Sequence, residues 1–383
     1  MYSIRKRPQN TVRNLNVKKI KILQVGIDSH LGGIETYLLE VARHIDGDAF
    51  QLDFLSYYGE TPCFFKELVD LGCGFKFIHS RRRSPVGNIC DLRKLYEEEK
   101  YDIVQCNVNS LSYVTPAIEA VNKGISVLLL SHNAGASSGS SSKLLNCINK
   151  IRFPFDRVKL AAVSDNAGKW MFGNDRSFVV LNNGVDTCKY RFSLDDRLEV
   201  RKELGVSSES EILLHVGAFR SQKNHRFIVK VFHEYLKKNP NALLVLVGDG
   251  ELKPEIIGDV ENLGIKENVL FLGIRNDVNR ILSASDKFFF PSLYEGFPIS
   301  LIEAETNGVL CVVSDAITSE VCFDNCVRLS LEDSVDTWTM ALGRRFVGHR
   351  EEAFKVVEGV GLGIDSTIGR LEQLYRGMVR DGR

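Results

Sequence analysis

The sequence predicts an α/β fold of two doubly wound domains, each with a parallel sheet between two layers of helices. Three observations predict this fold. Short apolar segments alternate with amphipathic helical segments along the chain, which is typical of an open parallel sheet covered on both faces. The segments form two series with a break near 183–191. A chain of 383 residues is also long enough for two domains of ordinary size.

The first series contains seven predicted strands. It begins with the buried apolar segment KILQVGI at 21–27, which is followed by the helical pattern IETYLLEVARHI at 34–45. The other predicted strands of this series are FQLDFL, CGFKFI, DIVQC, SVLLLS, VKLAAVS and SFVVLNN. Because these strands read as parallel, their carboxyl ends should meet at one edge of the sheet, where such folds bind ligands.

The second series contains five predicted strands, and it is followed by a C-terminal helix. The strands are EILLHVGAF, ALLVLVGDG, VLFLGI, KFFFPS and VLCVVSD, and KFFFP is too apolar to be an edge strand. We therefore divide the chain into a basic N-terminal extension, two domains and a C-terminal helix that should pack back on the first domain. Their bounds are 1–19, 20–186, 187–363 and 364–383.

Composition places the chain among soluble globular proteins. Hydrophobic residues make up 44% and charged residues 26%, and no apolar run approaches the ~18 residues of a membrane span. The N-terminus lacks the apolar middle of a secretory signal, so we expect a cytoplasmic protein. The nine cysteines show no CxxC pair and no zinc spacing. We therefore expect free thiols, including those of the closest pair, Cys322 and Cys326.

Charge is unevenly distributed although the net charge is zero. Residues 1–183 hold 24 Lys and Arg against 18 Asp and Glu, and Arg81–Arg83 form one local cluster. A basic half can attract anionic lipid headgroups, a phosphorylated substrate or nucleic acid. The alternative is ordinary solvated surface charge. No nucleic-acid-binding signature accompanies the basic residues, so we expect no nucleic-acid partner.

The segment LYEGFPISLIEA at 293–304 places two carboxylates around the start of a helix. It follows the apolar strand KFFFP, and Pro298 suits the first turn of a helix, where a missing N–H costs nothing. The free amides of that first turn form an anion site. Glu295 in the loop and Glu303 in the helix could then accept hydrogen bonds from the hydroxyls of one ligand. The alternative is that Glu303 is an ordinary first-turn carboxylate and Glu295 a surface loop residue.

Other turns at the same predicted edge have a similar character. VGAFRSQKN at 216–224 ends a strand with glycine and then offers two cations, Arg220 and Lys223, before a helix. Cations at that place would balance the charge of a diphosphate. The glycine pair of GGIE at 32–35 lets a ligand approach the backbone closely. GDGE and FLGIRNDV end two further strands in the same manner. Solvated loop residues are the alternative for each turn taken alone.

These motifs, in this order and spacing, resemble those of the retaining glycosyltransferases of family 4. The matching segments are GGIE, the SHN at 131–133, NNGVD, VGAFRSQKN, VGDGE, FLGIRNDV and EGFPISLIE. EGFPISLIE fits the E-x7-E element of the family, which is its most specific motif. The resemblance covers residues from about 20 to the C-terminus, and its details are similar to members that build bacterial capsule, exopolysaccharide or O-antigen repeats. It implies the GT-B fold, in which two Rossmann-like domains face a cleft.

The resemblance also implies roles for individual residues. His132, Lys223 and Glu295 would be the catalytic group, with His132 beside the reacting carbon, Lys223 on the diphosphate and Glu295 on the donor sugar. Glu303 would hold the ribose. The remaining donor-binding residues would be Gly32, Gly33, Arg220, Gly273, Arg275, Gly296, Phe297, Pro298, Ser300 and Leu301.

The implied reaction moves a hexosyl or N-acetylhexosaminyl group from a nucleotide sugar, UDP-linked in our expectation, to a saccharide acceptor. The N-terminal domain would bind the acceptor, and the C-terminal domain the donor. We expect a lipid-linked acceptor, peripheral contact with the anionic inner face of the membrane, and no metal or other cofactor. The family often has arginine where this chain has Ala218. That departure leaves open an inactive supporting subunit. A nucleotide-sugar epimerase on the same fold is a separate alternative.

Overall fold

The chain folds into two parallel β-sheets covered by helices. The computed structural model describes residues 18–30, 32–57, 59–133, 140–207, 209–344 and 349–381. Most of the predicted basic extension, residues 1–17, therefore lies outside the described residues. Apolar side chains from the strands and from the inner faces of the helices form the buried cores. The predicted α/β class with two doubly wound sheets is confirmed.

The first sheet has seven parallel strands in the order β3-β2-β1-β4-β5-β6-β7. All seven correspond to segments predicted from the sequence. Their bounds are β1 Ile20–Val25, β2 Phe50–Ser56, β3 Gly74–Phe77, β4 Ile103–Val108, β5 Ser126–Ser131, β6 Lys159–Ala162 and β7 Val179–Val180. β1 and β4 lie side by side at the centre, where the order of strands reverses, and the carboxyl edge there is the usual ligand-binding place of such sheets.

Within the described residues, six α-helices alternate with the strands of the first sheet along the chain. They are α1 Gly33–His44, α2 Phe65–Asp70, α3 Pro85–Glu99, α4 Thr115–Asn122, α5 Ser140–Arg152 and α6 Asp165–Phe172. Their starts follow ordinary capping chemistry in two cases. The Ser84 hydroxyl accepts from the Gly87 amide ahead of Pro85, and the Ser164 hydroxyl accepts from the Ala167 amide.

The second sheet has six parallel strands in the order β10-β9-β8-β11-β12-β13. Their bounds are β8 Ile212–Val216, β9 Leu243–Val247, β10 Val269–Gly273, β11 Lys287–Phe290, β12 Leu310–Ser314 and β13 Cys326–Leu329. β11 is a central strand, as its continuous apolar sequence predicts. β13 was not predicted, because this short edge strand is only half buried and shows no apolar run.

Within the described residues, nine α-helices follow the first sheet in the chain. They are α7 Thr187–Tyr190, α8 Leu194–Glu203, α9 His225–Leu236, α10 Lys253–Asn262, α11 Val278–Ala284, α12 Ile299–Asn307, α13 Val335–Leu342, α14 Phe354–Gly359 and α15 Ile364–Asp381. Among the described residues, no helix is long and apolar enough to cross a lipid bilayer.

The chain passes between the two sheets twice, and the two passages touch. Val185 on the outward passage pairs with Gly363 on the return in an isolated bridge. The Val185 amide donates to the Leu362 carbonyl at 3.0 Å, and the Ile364 amide donates to the Val185 carbonyl at 2.9 Å. The C-terminal helix α15 then packs against α1 and β4 of the first sheet. The crossing therefore joins both sheets at one narrow place.

The C-terminal helix is tied to the first sheet by one buried hydroxyl. The fully buried Tyr375 donates to Gln105 Oε1 at 2.5 Å and accepts from Gln24 Nε2 at 3.0 Å. Tyr375→Phe would leave polar atoms of two buried glutamines without this partner. We expect the free energy of unfolding to fall by about 1–3 kcal/mol, measured by urea denaturation. An unchanged denaturation midpoint would contradict this role of the hydroxyl.

The expectation of free thiols is wrong for one pair of cysteines. Cys322 and Cys326 form a disulfide, because the turn between them brings their Cα atoms to 5.2 Å. Spacing alone could not show this approach. The other seven cysteines are free.

Candidate active site

A cleft of about 850 Å³ lies between the carboxyl edges of the two sheets. It is lined by turns from both halves of the chain, including those that the sequence predicts to bind a ligand. All but two of the predicted site residues line it. Those lining it are Gly32, Gly33, His132, Arg220, Lys223, Arg275, Glu295, Gly296, Phe297, Pro298, Ser300 and Glu303.

Lys223 and Glu295 form an ion pair in this cleft. The Lys223 Nζ lies 2.7 Å from Glu295 Oε1, with 17% and 9% of the two side chains exposed. Gln222 Nε2 donates to the second carboxylate oxygen of Glu295 at 3.2 Å. The lysine stem packs over Gly217, and its ammonium lies 4.4 Å from the centre of the Phe290 ring. The turn after β8 therefore holds the Lys223 ammonium, and the loop after β11 holds the Glu295 carboxylate, at a fixed distance from each other.

Helix α12 begins at the same place with free backbone donors. Pro298 caps it without a side-chain hydrogen bond. In the described part of the chain, no backbone carbonyl accepts from the amides of Ile299 and Ser300. The Leu301 amide, in contrast, donates to the Pro298 carbonyl at 3.1 Å, and the Leu301 side chain is fully buried. The unengaged donors at this helix start are therefore those of Ile299 and Ser300, and the role of Leu301 stays a prediction.

Glu303 lies at another part of the cleft, one turn into α12. Burial raises the pKa of its carboxyl to about 7. A hydrogen bond from Tyr190 and the charge of Lys189 act in the opposite direction on this pKa, but burial is stronger. Sequence analysis missed Tyr190 and Lys189, which line the cleft from α7. Glu295 and Glu303 are thus separate acceptor groups on either side of the free amides of α12.

His132 enters the cleft from the end of β5 in the first sheet. Burial lowers the pKa of its imidazole to about 3, so the ring is neutral at physiological pH. Its Nε2 lies 3.0 Å from Asn107 Oδ1, and Asn107 is oriented by donating Nδ2 to the Val25 carbonyl. Because Asn107 Oδ1 is an acceptor, the proton belongs on Nε2, which leaves Nδ1 as an acceptor. Tyr37 packs edge-on against the ring at 4.9 Å between centroids.

Gly296 brings the two halves of the cleft into direct contact. A Cβ at this position would lie 2.3 Å from the His132 carbonyl oxygen and 3.0 Å from Asn133 Cα. The Gly296 carbonyl accepts from the Ser164 hydroxyl at 2.6 Å. The loop that carries Glu295 therefore rests on the carboxyl ends of the first sheet. This glycine is required by backbone-to-backbone approach, a reason that sequence analysis did not give.

Glu35 is a cleft residue that sequence analysis quoted in GGIE without assigning it a role. Burial raises the pKa of its carboxyl to about 7, and Oε1 accepts from the Asp28 amide at 3.1 Å. Arg220 faces it closely enough to favour its ionised form. Ala218 also lines the cleft beside Arg220. The cation at this part of the cleft is therefore Arg220, which stands two residues after the position where arginine was expected.

Two further predicted residues are placed differently from the expectation. Gly273 ends β10 and does not line the cleft; its carbonyl accepts from the Gly248 amide at 2.8 Å. Arg275 does line the cleft, but its guanidinium is held by Asp277 at 2.8 Å and by Glu203 at 3.0 Å. These two carboxylates raise the pKa of Arg275 further above its ordinary value. Arg275 therefore helps to fix the wall of the cleft rather than offering an unpaired charge.

Comparisons with known proteins agree with this geometry. Residues 196–323 match the family model "Glycosyl transferases group 1". A Bacillus subtilis protein named "Putative glycosyltransferase EpsF" is 28% identical over 375 residues, covering 94% of this chain and 97% of that protein. A second relative, from Escherichia coli, is 27% identical, and the match covers 78% of this chain and 80% of that protein. It is named UDP-Gal:alpha-D-GlcNAc-diphosphoundecaprenol alpha-1,3-galactosyltransferase.

A solved structure shows the same fold. Alr3699/HepE of Anabaena, crystallised in complex with UDP-glucose, superposes with a TM-score of 0.77 at 17% identity, covering 93% of this chain and 99% of that chain. The two sheets and the cleft between them therefore show the GT-B fold. Among such proteins, the chain resembles bacterial glycosyltransferases, including those named above.

Proposed function

We propose that the protein is a retaining hexosyltransferase or N-acetylhexosaminyltransferase that uses a nucleotide sugar, UDP-linked, to extend a lipid-linked saccharide in bacterial surface polysaccharide synthesis. One observation carries this proposal. The Lys223–Glu295 pair and the free amides of α12 line the same cleft as His132. This arrangement suits a ligand with a diphosphate between a sugar and a ribose.

The charges of the site suit departure of a nucleoside diphosphate. Negative charge develops on the diphosphate as the bond to the sugar breaks, and Lys223 together with the amides of Ile299 and Ser300 would stabilise it. These donors are held in place before the reaction, so little reorganisation is required. Glu295 would accept from hydroxyls of the sugar. We propose that the charge is met by these groups without a metal ion or other cofactor.

Glu303 suits the ribose end of the same ligand. Its carboxyl has a pKa of about 7 because it is buried. Two ribose hydroxyls that donate to it would favour its ionised form. The distance along α12 from Ser300 to Glu303 is about one helical turn. A ribose and a diphosphate joined to each other can therefore lie along the start of one helix.

The acceptor hydroxyl would attack the reacting carbon of the sugar on the same face from which the diphosphate departs. The configuration at that carbon would then be retained. The departing phosphate would then take the proton of the acceptor hydroxyl, so no nucleophilic side chain is required. His132 is neutral, and its Nδ1 would accept a hydrogen bond from a sugar hydroxyl near the reacting carbon. Glu35 and Arg220 would complete the wall from the two sides of the cleft.

The identity of donor and acceptor is supported by the names of the relatives. The Anabaena structure holds UDP-glucose, and the Escherichia coli relative is named for a UDP-linked galactose and a diphosphoundecaprenol-linked acceptor. We therefore propose a uridine donor and a lipid-linked acceptor for this chain. Such an acceptor is held at the membrane, so the protein would act as a peripheral protein on its inner face.

Calorimetric titration with UDP, GDP and ADP, and then with nucleotide sugars, tests the proposal without added metal. We expect micromolar binding of UDP, tightened by one sugar, and weakened more than about tenfold in Lys223→Ala because a charge-assisted contact to the diphosphate is lost. The exposed Lys230 on α9 provides the matched control, Lys230→Ala, which should bind as the wild type does.

Two outcomes of this titration would contradict the proposal. Absence of binding by every nucleotide would favour an inactive supporting subunit, the alternative that Ala218 raises. If the protein binds a nucleotide sugar and, without any acceptor, converts it to free sugar or to an isomerised nucleotide sugar, an epimerase is favoured. Product analysis by chromatography separates the second outcome from transfer.

A further inference from the structure

Helix α5 is attached to the protein through its polar face. The Leu111 amide donates to Asn146 Oδ1 at 2.8 Å, and Asn149 Nδ2 donates to the Leu111 carbonyl at 2.6 Å. Lys150 donates to the Trp170 carbonyl at 2.6 Å, and its ammonium lies over the Trp170 ring. The side of the helix that faces the protein is therefore polar, which is the reverse of an ordinary surface helix.

The apolar side of the same helix faces solvent. Leu144 is 64% exposed and Ile151 is 87% exposed, and two further residues between them are exposed as well. The four residues share one face at helical spacing: Leu144, Leu145, Ile148 and Ile151. Single exposed apolar residues are common on protein surfaces, but a continuous apolar stripe marks an interaction surface.

Basic side chains lie near α5. Arg81 donates to the Ser112 carbonyl, next to the residue that holds α5, and its guanidinium lies 4.8 Å from the centre of the Tyr113 ring. Arg82, Arg83 and, at the end of α5, Arg152 are exposed, and α5 contains no acidic residue. The arginine cluster singled out in the sequence therefore lies beside α5, joined to it through the 111–112 turn.

We propose that α5 and the Arg81–Arg83 turn form a docking surface for an anionic lipid bilayer. A helix whose apolar face points outward, with cations around it, can lie in the interfacial region of a membrane while the cations meet anionic headgroups. A protein partner would have to supply both an apolar groove and acidic groups at its rim. A bilayer containing anionic lipid supplies both without a defined shape, so the charge complementarity favours the bilayer.

The position of this docking surface suits the proposed transfer to a lipid-linked acceptor. Leu111 holds α5, and Asn109, two residues earlier, lines the cleft. A bilayer against α5 would therefore lie next to the first-sheet side of the cleft, where an acceptor carried by a lipid would enter. This use of the docking surface rests on the proposed function, whereas binding to the bilayer does not.

Vesicle co-sedimentation tests the docking surface without any substrate. We expect the full-length protein to bind vesicles of phosphatidylcholine with phosphatidylglycerol, to bind phosphatidylcholine alone much more weakly, and to lose binding as salt is raised. Leu144→Glu with Ile151→Glu should lower the affinity more than about tenfold, because two exposed apolar anchors are lost. Arg82→Glu with Arg83→Glu should lower it about tenfold or more.

The chain offers a matched control on the other half of the molecule. Leu194 and Leu198 on α8 are 60% and 61% exposed, so Leu194→Glu with Leu198→Glu should bind vesicles as the wild type does. Equal binding by all variants, binding that is independent of phosphatidylglycerol, or no binding by the wild type would overturn the proposal. So would a wild-type dimer in light scattering that the α5 variant converts to monomers.

Nucleotide titration of the same proteins separates this proposal from the proposed function. The α5 variant should bind UDP as the wild type does, and Lys223→Ala should bind vesicles as the wild type does. A protein that binds vesicles but no nucleotide retains the docking surface and contradicts the proposed function. A protein that binds nucleotide but no anionic vesicle contradicts the docking surface alone.

Discussion

Glu295→Ala should abolish sugar transfer while the protein stays folded. The substitution removes the carboxylate that lies 2.7 Å from Lys223 and that would accept from the hydroxyls of the donor sugar. It also frees the ammonium of Lys223 from the position that Glu295 and Phe290 define. Loss of a preorganised group of this kind commonly lowers the rate by ~10²–10³. Transfer from the radiolabelled donor identified by calorimetry measures this loss.

Two further variants make the Glu295 experiment decisive. Glu295→Gln retains an oxygen acceptor for Lys223, so its fold should be retained even if that of the alanine variant is not, and its rate should still fall. Glu255, an ion-paired but half-exposed glutamate on α10, provides the control Glu255→Ala. Near-normal turnover by a folded Glu295→Ala protein would contradict the assigned role, as would an equal loss in Glu255→Ala.

Much of the fold follows from local sequence. Strands of a parallel sheet that are buried on both faces are apolar along most of their length, so segments such as KFFF and SVLLLS could be recognised alone. The start of α12 could be predicted because proline favours helix starts for a local reason, although Pro298 is the N-cap residue and precedes the first turn. β13 lacks an apolar run, and its place in the sheet depends on pairing with β12. It could not be predicted from its own residues.

The parts of the site that escaped prediction depend on contacts between distant segments. Gly296 reads as a flexible turn residue, but its constraint comes from the His132 carbonyl in the other sheet. Glu35 follows Gly32 and Gly33, which were singled out for close approach of a ligand to the backbone. The raised pKa of its carboxyl comes from burial, with the nearby Asp28 adding to it, and local sequence does not show that burial. The sequence also does not show that the Leu301 amide already donates to the Pro298 carbonyl, which distinguishes it from the amides of Ile299 and Ser300.

The orientation of α5 shows the same limit. The helix α5, SSSKLLNCINKIR, is amphipathic, but its periodicity says only that its two faces differ. The usual assumption would place the leucine and isoleucine side chains inward. The contacts of Asn146 and Asn149 with Leu111 place the polar face inward instead. Tertiary hydrogen bonds therefore decide which face meets solvent, and with it the surface that we propose for the bilayer.

Gly296→Ala should separate donor binding from transfer. The added methyl group would lie 2.3 Å from a backbone oxygen and 3.0 Å from a backbone carbon of the first sheet's loop, and neither atom can move as a side chain can. The backbone of Gly296 does not have positive φ, so alanine is compatible with its local conformation. The strain must be relieved by moving the Glu295 loop away from His132. A misplacement of about 1 Å at a reacting centre can lower the rate ~10²-fold.

For Gly296→Ala we expect kcat to fall about 10²-fold. The affinity for UDP should change only a few-fold, because Lys223 and the amides of α12 lie in the same half of the chain, around the second sheet. Steady-state kinetics together with calorimetry measure both quantities. A methyl group added at Gly258 in α10 would meet no atom within 4 Å, so Gly258→Ala is the matched control and should change neither. Normal kcat in Gly296→Ala would mean that transfer does not require the contact between Gly296 and His132. A parallel loss of UDP affinity would mean that the substitution damages the donor site itself.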